Sequence, residues 1–391
     1  MSQLVSSITR EWRFMLRQKY ILVLLLCTLI VTSFSIFSGI KEVSQQHQTI
    51  ERLKQADLKD RSEAQAKYDD VGSLAYYSFH LSYSAPSNLA FAALGERDVY
   101  PWKHRIRMLA LEGQIYESDA QNAELAQAGK IDFVFIISAL SPLIIILLFH
   151  DLFANERNSG RHDLLVSTSI SSFSLWGARS IVRFLALYFC LMLPFYIGAT
   201  ISSVSVTMVV AISAIVLVYM LLWTLLSIWW AQKQNTAPRI ASSLIGIWVL
   251  FAFIIPILGD LAINHSVHSP KGGDIVLTQR EAVNDGWDLP KETTLKAFVE
   301  THPQYKDNLQ FKNTWAWNWY YAFQQVGDQT AAELSQAYRD ASQRKYELAG
   351  WPRQMPSPLL SMNNKSATFT KRFGCFITPS CLETSSLKNR L

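Results

Sequence analysis

The sequence predicts an all-α polytopic membrane protein with five transmembrane helices and two extracytoplasmic, mainly helical soluble regions. Half of the residues are hydrophobic and 17% are charged, whereas a soluble domain carries about 25% charged residues. The apolar residues are concentrated in a few blocks, while 41–130 and 264–391 are ordinarily polar. Aromatic residues, at 12%, and the low charge exclude a disordered chain, a collagen-like chain and a coiled coil.

The spans follow from the uncharged stretches of the sequence. A helix that crosses the hydrocarbon core needs about 20 apolar residues. Tyr20 to Ile40, Phe133 to Phe149 and Ile240 to Gly259 each supply one such stretch. Phe184 to Gln232 is more than twice as long, so we expect a hairpin of two helices that turns within the small, polar residues Ser202 to Thr207. The predicted spans are residues 20–40, 131–150, 180–201, 207–232 and 238–261.

The distribution of Lys and Arg predicts the orientation, because short cytoplasmic connections carry an excess of these residues. The segments 1–19 and 151–179 and the connection at Lys233 are rich in Lys and Arg, whereas the loop from Ser202 to Thr207 has none. The N-terminus is therefore expected in the cytoplasm. Residues 41–130 and 262–391 then form two extracytoplasmic domains, since long loops are translocated largely regardless of charge.

The first 19 residues are expected to form a helix on the cytoplasmic membrane surface. Val5, Ile8, Trp12 and Met15 recur at intervals of three and four and give the helix one apolar face. Arg and Trp are both favoured at the level of the lipid headgroups. An ordinary positively charged flank of the first span explains the composition equally well, and both interpretations remain open.

The polar regions give structural rather than chemical signals. The first span is expected to continue as an exposed helix from Lys41 to Asp70, which has no Pro or Gly, and Trp102 to Glu117 is helix-prone. Five tryptophans of the second region indicate either a ligand platform or, more commonly, a domain core or a membrane-interface belt. They are Trp287, Trp315, Trp317, Trp319 and Trp351.

Motifs for catalysis and cofactor binding are missing from the sequence. It contains no P-loop, no nucleophile elbow and no HExxH motif, so we expect no catalytic residues and no nucleotide site of its own. The four cysteines show no metal-site spacing. A net charge of +5 without a long basic run argues against nucleic-acid binding.

Residues 150–167, directly after the second span, allow three interpretations. They could hold a metal, form a solvated loop at the membrane edge, or dock a cytoplasmic partner. Five side chains offer ligand atoms without a known ligand spacing: His150, Asp151, Glu156, His162 and Asp163. Docking fits best, because a charged pair, a glycine and two leucines make a sharply turned element with an apolar face. The candidate docking residues are Glu156, Arg157, Gly160, Leu164, Leu165 and Ser167.

In this segment the chain resembles the integral membrane subunits of ABC-2-type ABC transporters. Those proteins carry a pattern S-x-E-R-x-x-G-T-x-x-L-L-L-S-x-P after their second span, and the six docking residues stand in its register. Asn88 to Pro101, Leu111 to Gln114 and Thr301 to Pro303 are similar to a subfamily with a large extracytoplasmic domain. The similarity covers most of the chain.

The resemblance implies a permease subunit of an exporter in the bacterial inner membrane. Such a subunit pairs with a second permease copy or a paralogous permease, and a separate cytoplasmic ATPase binds and hydrolyses the ATP. Arg161 stands where the family has Thr, and Ser169 where it has Pro. The family's sixth span has no apolar counterpart after Gly259, and residues from Met362 depart from the family's continuation. A truncation or frame change near Met362 is expected from that departure.

Two other functions compete with transport. The chain could be a membrane sensor or scaffold whose large outer domains bind a ligand or a partner protein. It could also be a membrane-embedded enzyme, but the spans lack the buried charged residues that usually mark such a site. The substrate of a transporter cannot be named from the spans, which carry no distinctive set of polar residues.

Overall fold

The computed structural model describes residues 2–93, 102–117, 131–168, 172–233, 236–308 and 315–349. Most of these residues are helical, and five of their helices are long and apolar enough to cross a membrane. The chain is therefore an all-α, multi-pass membrane protein, as the sequence predicts. The first to fifth spans lie in Lys19–Lys67, Phe133–Asn158, Leu175–Ile201, Val206–Ala231 and Ala237–Ser266.

The helices extend beyond the predicted spans. The first continues to Lys67, as its polar, glycine-free continuation predicts. The third begins at Ser172 rather than near residue 180, because Arg179 and Arg183 are buried instead of marking a solvated connection. The turn between the third and fourth spans lies where it is expected, with Ser203 at a φ of 53°. The other helical segments, several of which make up the second and fifth spans, are Ser2–Arg17, Phe133–Phe135, Ile136–Leu140, Ser141–Phe149, Ala154–Asn158, His162–Thr168, Ala237–Val249, Leu250–Ile254 and Ile255–Ser266.

The described residues form two compact units. The first unit contains the described residues up to 46, within 86–95 and within 130–258. The second unit contains the other described residues. In the first unit, the N-terminal helix Ser2–Arg17 packs along the third span, and the second span packs against the fourth and fifth. A Cβ added to Gly39 would lie 2.0 Å from the carbonyl oxygen of Phe91. The first span therefore needs glycine at position 39, where the backbone of Phe91 passes it.

The second unit combines both polar regions of the sequence. The carboxylate of Asp328 accepts hydrogen bonds from the N–H groups of Leu111 and Glu112, at 2.8 and 3.3 Å, and from the side chain of Gln279 at 3.3 Å. Tyr116 and Ser335 lie 3.0 Å apart, hydroxyl to hydroxyl. The two expected outer regions are thus one folded unit. Its helical segments are Val71–Tyr77, Leu111–Tyr116, Gly272–Asp288, Lys291–Thr301, Pro303–Asn308 (a 3₁₀ helix), Trp317–Thr330 and Ala332–Leu348.

A two-stranded antiparallel sheet corrects one expectation for this unit. His80–Tyr83 pairs with Lys103–Ile106, with His80 opposite Ile106. Of the helix-prone stretch Trp102 to Glu117, only Leu111–Tyr116 is an α-helix. The second strand alternates exposed and half-buried residues, the period of a strand, and its partner strand supplies the hydrogen bonds that a helix would have formed internally.

The tryptophans of the second unit are partly core residues. Trp319 is 5% exposed, and its indole N–H donates to the hydroxyl of Thr294 at 3.2 Å. Trp287 and Trp315 are each about half exposed. The domain-core interpretation therefore holds for Trp319, while Trp351 lies outside the described residues.

Candidate functional site

Residues 154–168, which end the second span and lead towards the third, form a helical hairpin that we call the interspan element. Its helices are Ala154–Asn158 and His162–Thr168. Gly160 lies between them at a φ of 66°, in the left-handed region that penalises residues with a Cβ. The N–H of Gly160 donates to the carbonyl of Arg157, and that of Arg161 to the carbonyl of Glu156, both at 3.0 Å. The expected sharp turn at Gly160 is confirmed.

Glu156 belongs to a buried group of charged side chains. Its Oε1 accepts a hydrogen bond from Nη1 of Arg179, and its Oε2 pairs with Nε of Arg161, both at 3.2 Å. Arg179 also donates from Nε to Oε2 of Glu11 at 3.0 Å. Glu11, Glu156 and Arg179 are each less than a tenth exposed. We call Glu11, Glu156, Arg161 and Arg179 the ion-pair cluster; it joins the N-terminal helix, the interspan element and the third span.

The arrangement of the cluster satisfies charges that burial would otherwise penalise. A charge taken out of water costs several kcal/mol unless it is paired with good geometry. The acids and arginines alternate, so each buried carboxylate contacts at least one guanidinium. The guanidinium of Arg179 also lies 5.1 Å from the ring centroids of both Phe14 and Trp176, which favours a cation there. The cluster is therefore a fixed joint between three helices.

A second ion pair stands one helical turn further along the third span. Nη1 of Arg183 lies 3.3 Å from Oδ1 of Asp151 and also donates to the carbonyl of Leu148. The hydroxyl of Tyr20 donates to Oδ2 of the same Asp151 at 3.0 Å. Because Leu148 and Asp151 lie where the regular helix of the second span ends, Arg183 ties that end to the third span.

A cavity of about 240 Å³ lies between the two ion pairs. Its walls carry three arginines, two carboxylates and several neutral polar groups, so it suits polar rather than apolar contents. Among the residues that the structure describes, no group of three His, Cys, Asp or Glu side chains could hold a metal ion. The lining residues are Phe14, Gln18, Tyr20, Asp151, Leu152, Asn155, Glu156, Arg161, Arg179 and Arg183.

The structure divides the predicted docking residues into inward-facing and outward-facing groups. Glu156 is buried in the ion-pair cluster, and Leu165 is half-buried against the apolar core of the first unit. Arg157 donates from Nη2 to the carbonyls of Ala231 and Lys233, at 3.1 and 3.0 Å, at the end of the fourth span. Leu164 is 64% exposed. Ser167 is exposed, and its hydroxyl donates to the carbonyl of Leu164 at 3.0 Å.

The N-terminal helix uses its predicted apolar face only in part. Met15 is buried and Ile8 packs against the same core, whereas Trp12 is 45% exposed; the side chain of Val5 lies outside the described residues. The face towards the protein is shifted because Glu11, three residues after Ile8, pairs with Arg179. Trp12 and Leu16 are both exposed one turn apart, so a second apolar ridge remains beside the one that packs on the protein.

Sequence reasoning missed Glu11, Arg179 and Arg183 as members of the site and named Asp151 only as a possible metal ligand. Arg179 and Arg183 counted only as positive charges near the membrane surface. Their spacing of four residues on one helix face was a usable signal, because such residues lie side by side. Glu11, the single acid among the first 19 residues, was another.

Comparison with known proteins gives one match, on the second unit. A family model described as "Domain of unknown function (DUF3526)" matches residues 275–371, about a quarter of the chain. The match begins inside the helix Gly272–Asp288, and its described part runs to the end of the helix Ala332–Leu348. No curated protein and no solved structure matches the chain.

Proposed function

We propose that this protein is the membrane-spanning permease subunit of an ABC-2-type exporter, driven by ATP hydrolysis in a separate cytoplasmic ATPase. The observation that carries the proposal is the interspan element, which presents an exposed leucine while its other side is ion-paired to two further helices. A docking element must both contact a partner and transmit its movement. An exposed apolar side chain on a fixed support meets both needs.

The contacts of the ion-pair cluster give a route for that movement. A displacement of the interspan element acts directly on the third span through Glu156 and Arg179, and then on the N-terminal helix through Glu11. Arg157 acts on the end of the fourth span through the carbonyls of Ala231 and Lys233. Packed cores respond to such displacements as rigid bodies rather than by continuous deformation.

The docking contact itself is assigned to the outward side of the element. The carboxylate of Glu156 already accepts from Arg179 and is ion-paired with Arg161, so its role is to hold the element. We assign Leu164, which is 64% exposed, to a groove on the ATPase, as an anchor of the kind that contributes strongly when buried in an interface. Asp163 beside it is fully exposed and contacts Nδ1 of His162 at 3.2 Å through Oδ1, and its carboxylate can also pair with a basic residue of the partner.

The proposal includes an orientation and an assembly. The N-terminus, the interspan element and Lys233 face the cytoplasm, residues 41–130 and 262–391 lie outside the plasma membrane, and two permease chains pair in the bilayer. The Lys and Arg asymmetry supports this orientation. A membrane-impermeant thiol reagent tests it in intact cells, with the native cysteines replaced by Ser. His302→Cys should react, and reaction of Arg157→Cys would reverse the orientation.

Co-purification tests the docking assignment. Leu164→Asp should abolish recovery of a co-expressed ABC ATPase from solubilised membranes while the thermal unfolding midpoint of the permease stays unchanged. Leu58→Asp is the matched control, since Leu58 is also exposed, at 61%, but lies in the second unit. Equal recovery with both variants would refute docking at Leu164. If the unsubstituted chain recovers no ATPase, transport is refuted, and the sensor or scaffold function takes its place.

A further inference from the structure

The second span is interrupted by a π-helical segment, Ile136–Leu140. In an α-helix the carbonyl of Ser138 would accept from the N–H of residue 142, but residue 142 is proline and has none. The N–H of Ser141 instead bonds the carbonyl of Ile136, five residues back. The segment therefore holds about one residue more than an α-helix of the same length, as π-bulges do.

Side chains from three helical segments donate to carbonyls of the π segment. The hydroxyl of Ser141 donates to the carbonyl of Ile137 at 2.7 Å. The next carbonyl, of Ser138, accepts from the hydroxyl of Tyr219 on the fourth span, also at 2.7 Å. The carbonyl of Ala139 accepts from the indole N–H of Trp248 on the fifth span at 3.0 Å. Three consecutive carbonyls thus have dedicated donors in a region where unpaired ones are costly.

Proline alone does not produce this geometry. Pro194 lies inside the third span, yet the helix Ser172–Ile201 is α-helical throughout. In the second span, unlike the third, side chains of neighbouring spans donate to carbonyls beside the proline. The fifth span repeats the arrangement of π segment and proline, since Leu250–Ile254 precedes Pro256 at the same offset as Ile136–Leu140 precedes Pro142. Trp248, which donates to Ala139, lies two residues before that second π segment.

We propose that Ile136–Leu140 is a conformational switch in the second span, held in its π form by Tyr219 and Trp248. Each residue of an α-helix advances by about 100°. Conversion of the π segment to α-helix therefore turns one half of the span against the other by about that angle. The half after Pro142 ends in the interspan element, and the donors belong to the fourth and fifth spans. A movement of those spans that withdraws the two donors therefore turns the half that ends in the interspan element. The turn also moves Asp151 and Glu156 away from Arg183 and Arg179, so these ion pairs help to hold the π form.

The direction of the turn is fixed by the geometry of the helix. When the π segment becomes α-helical, each later residue points where the following residue pointed before. Leu147 is 47% exposed, while Ile146 and Leu148 are 1% and 0% exposed. In the α form Ile146 takes the exposed direction of Leu147, and Leu147 takes the buried direction of Leu148.

Site-directed spin labelling of the full chain in phospholipid vesicles tests the switch without any ATPase. Cys27, Cys190, Cys375 and Cys381 are replaced by Ser, and a nitroxide is attached through Ile146→Cys or Leu147→Cys. In the parent chain, oxygen accessibility should be high at 147 and low at 146. Pro142→Ala restores the N–H that Ser138 lacks, and it should raise accessibility at 146 and lower it at 147.

Two further variants complete the test. Tyr219→Phe with Trp248→Phe removes both donors while keeping an aromatic ring at each position, and it should shift accessibility in the same direction as Pro142→Ala. Pro194→Ala is the matched control, a buried span proline without a π segment, and should leave both positions unchanged. Unchanged accessibility in both test variants, or an equal shift with Pro194→Ala, would overturn the switch. Because no partner protein is present, the result does not depend on whether an ATPase docks.

Discussion

Removal of the Arg179 guanidinium should be the most destabilising single charge deletion in the first unit. Its side chain is 9% exposed, and it separates the carboxylates of Glu11 and Glu156, which are 4% and 7% exposed. In Arg179→Leu, Glu11 keeps only Arg10 at 3.5 Å, and that arginine is 60% exposed. An exposed pair of this kind contributes about 0–1 kcal/mol. Glu156 likewise keeps Arg161, which is 61% exposed, so both buried carboxylates are left with exposed partners.

The expected cost is about 3–5 kcal/mol, the usual penalty for breaking a buried ion pair from one side. At about 2–4 °C per kcal/mol for a unit of this size, the unfolding midpoint should fall by roughly 10 °C. Tryptophan fluorescence during heating in detergent micelles measures this midpoint. Arg280→Leu is the control, because Arg280 and Glu117 form an exposed ion pair at 60% and 57% exposure. Equal midpoints for Arg179→Leu and Arg280→Leu would refute the reasoning.

A triple substitution separates lost charge pairing from lost packing. If unpaired buried charge is the cause, Glu11→Leu and Glu156→Leu added to Arg179→Leu should recover most of the midpoint, since replacing a whole buried ion-pair group by apolar residues is often neutral. If the triple variant is less stable than Arg179→Leu alone, packing around the guanidinium carries the stability instead.

Three further outcomes follow from single positions. Gly160→Ala should destabilise the protein by about 1–2 kcal/mol because Gly160 has a positive φ. Gly246→Ala, in an open helical position, should stabilise it by about 1 kcal/mol. Equal thermal midpoints for the two variants would contradict this reasoning. Gly39→Ala should lower the midpoint further than Gly160→Ala, because its Cβ would meet backbone atoms of Phe91. Burial raises the pKa of Asp328 from 3.8 to about 7. Between those pH values the folded state holds a proton that the unfolded state has lost. The free energy of unfolding should therefore fall by on the order of 4 kcal/mol as pH rises from about 4 to about 7. Asp328→Asn should remove that slope from pH-dependent unfolding curves, and an unchanged slope would show that another group titrates.

The spans could be predicted from the sequence because their signal is local. An uncharged run bounded by Lys, Arg or Asp is decided by the residues themselves, and the turn at Gly160 likewise depends on a single glycine. The union of the two polar regions could not be predicted, because Asp328 meets Leu111 and Glu112 across more than 200 positions of the chain. The strand Lys103–Ile106 depends on a partner strand about 20 residues earlier, which periodicity within the strand cannot reveal.

The ion-pair cluster escaped prediction for a different reason. Composition treats Arg179 and Arg183 as solvated charges, because isolated arginines are rarely buried. Their burial depends on Glu11 and Asp151, which come from other parts of the chain. A single sequence shows that these acids and bases exist but not which of them meet.

The E-R-x-x-G portion of the segment at 156–160 is explained by internal contacts alone. Glu156 holds Arg179 and Arg161, Arg157 binds the last carbonyls of the fourth span, and Gly160 permits the turn. Each of these residues would be required to build a rigid hairpin on the span bundle even if nothing docked there. Under the proposed docking, recognition of the ATPase would rest on the exposed residues after the glycine, led by Leu164. A chain that kept the charged pair and the glycine but varied its residue at 164 would be expected to keep the platform and change the partner.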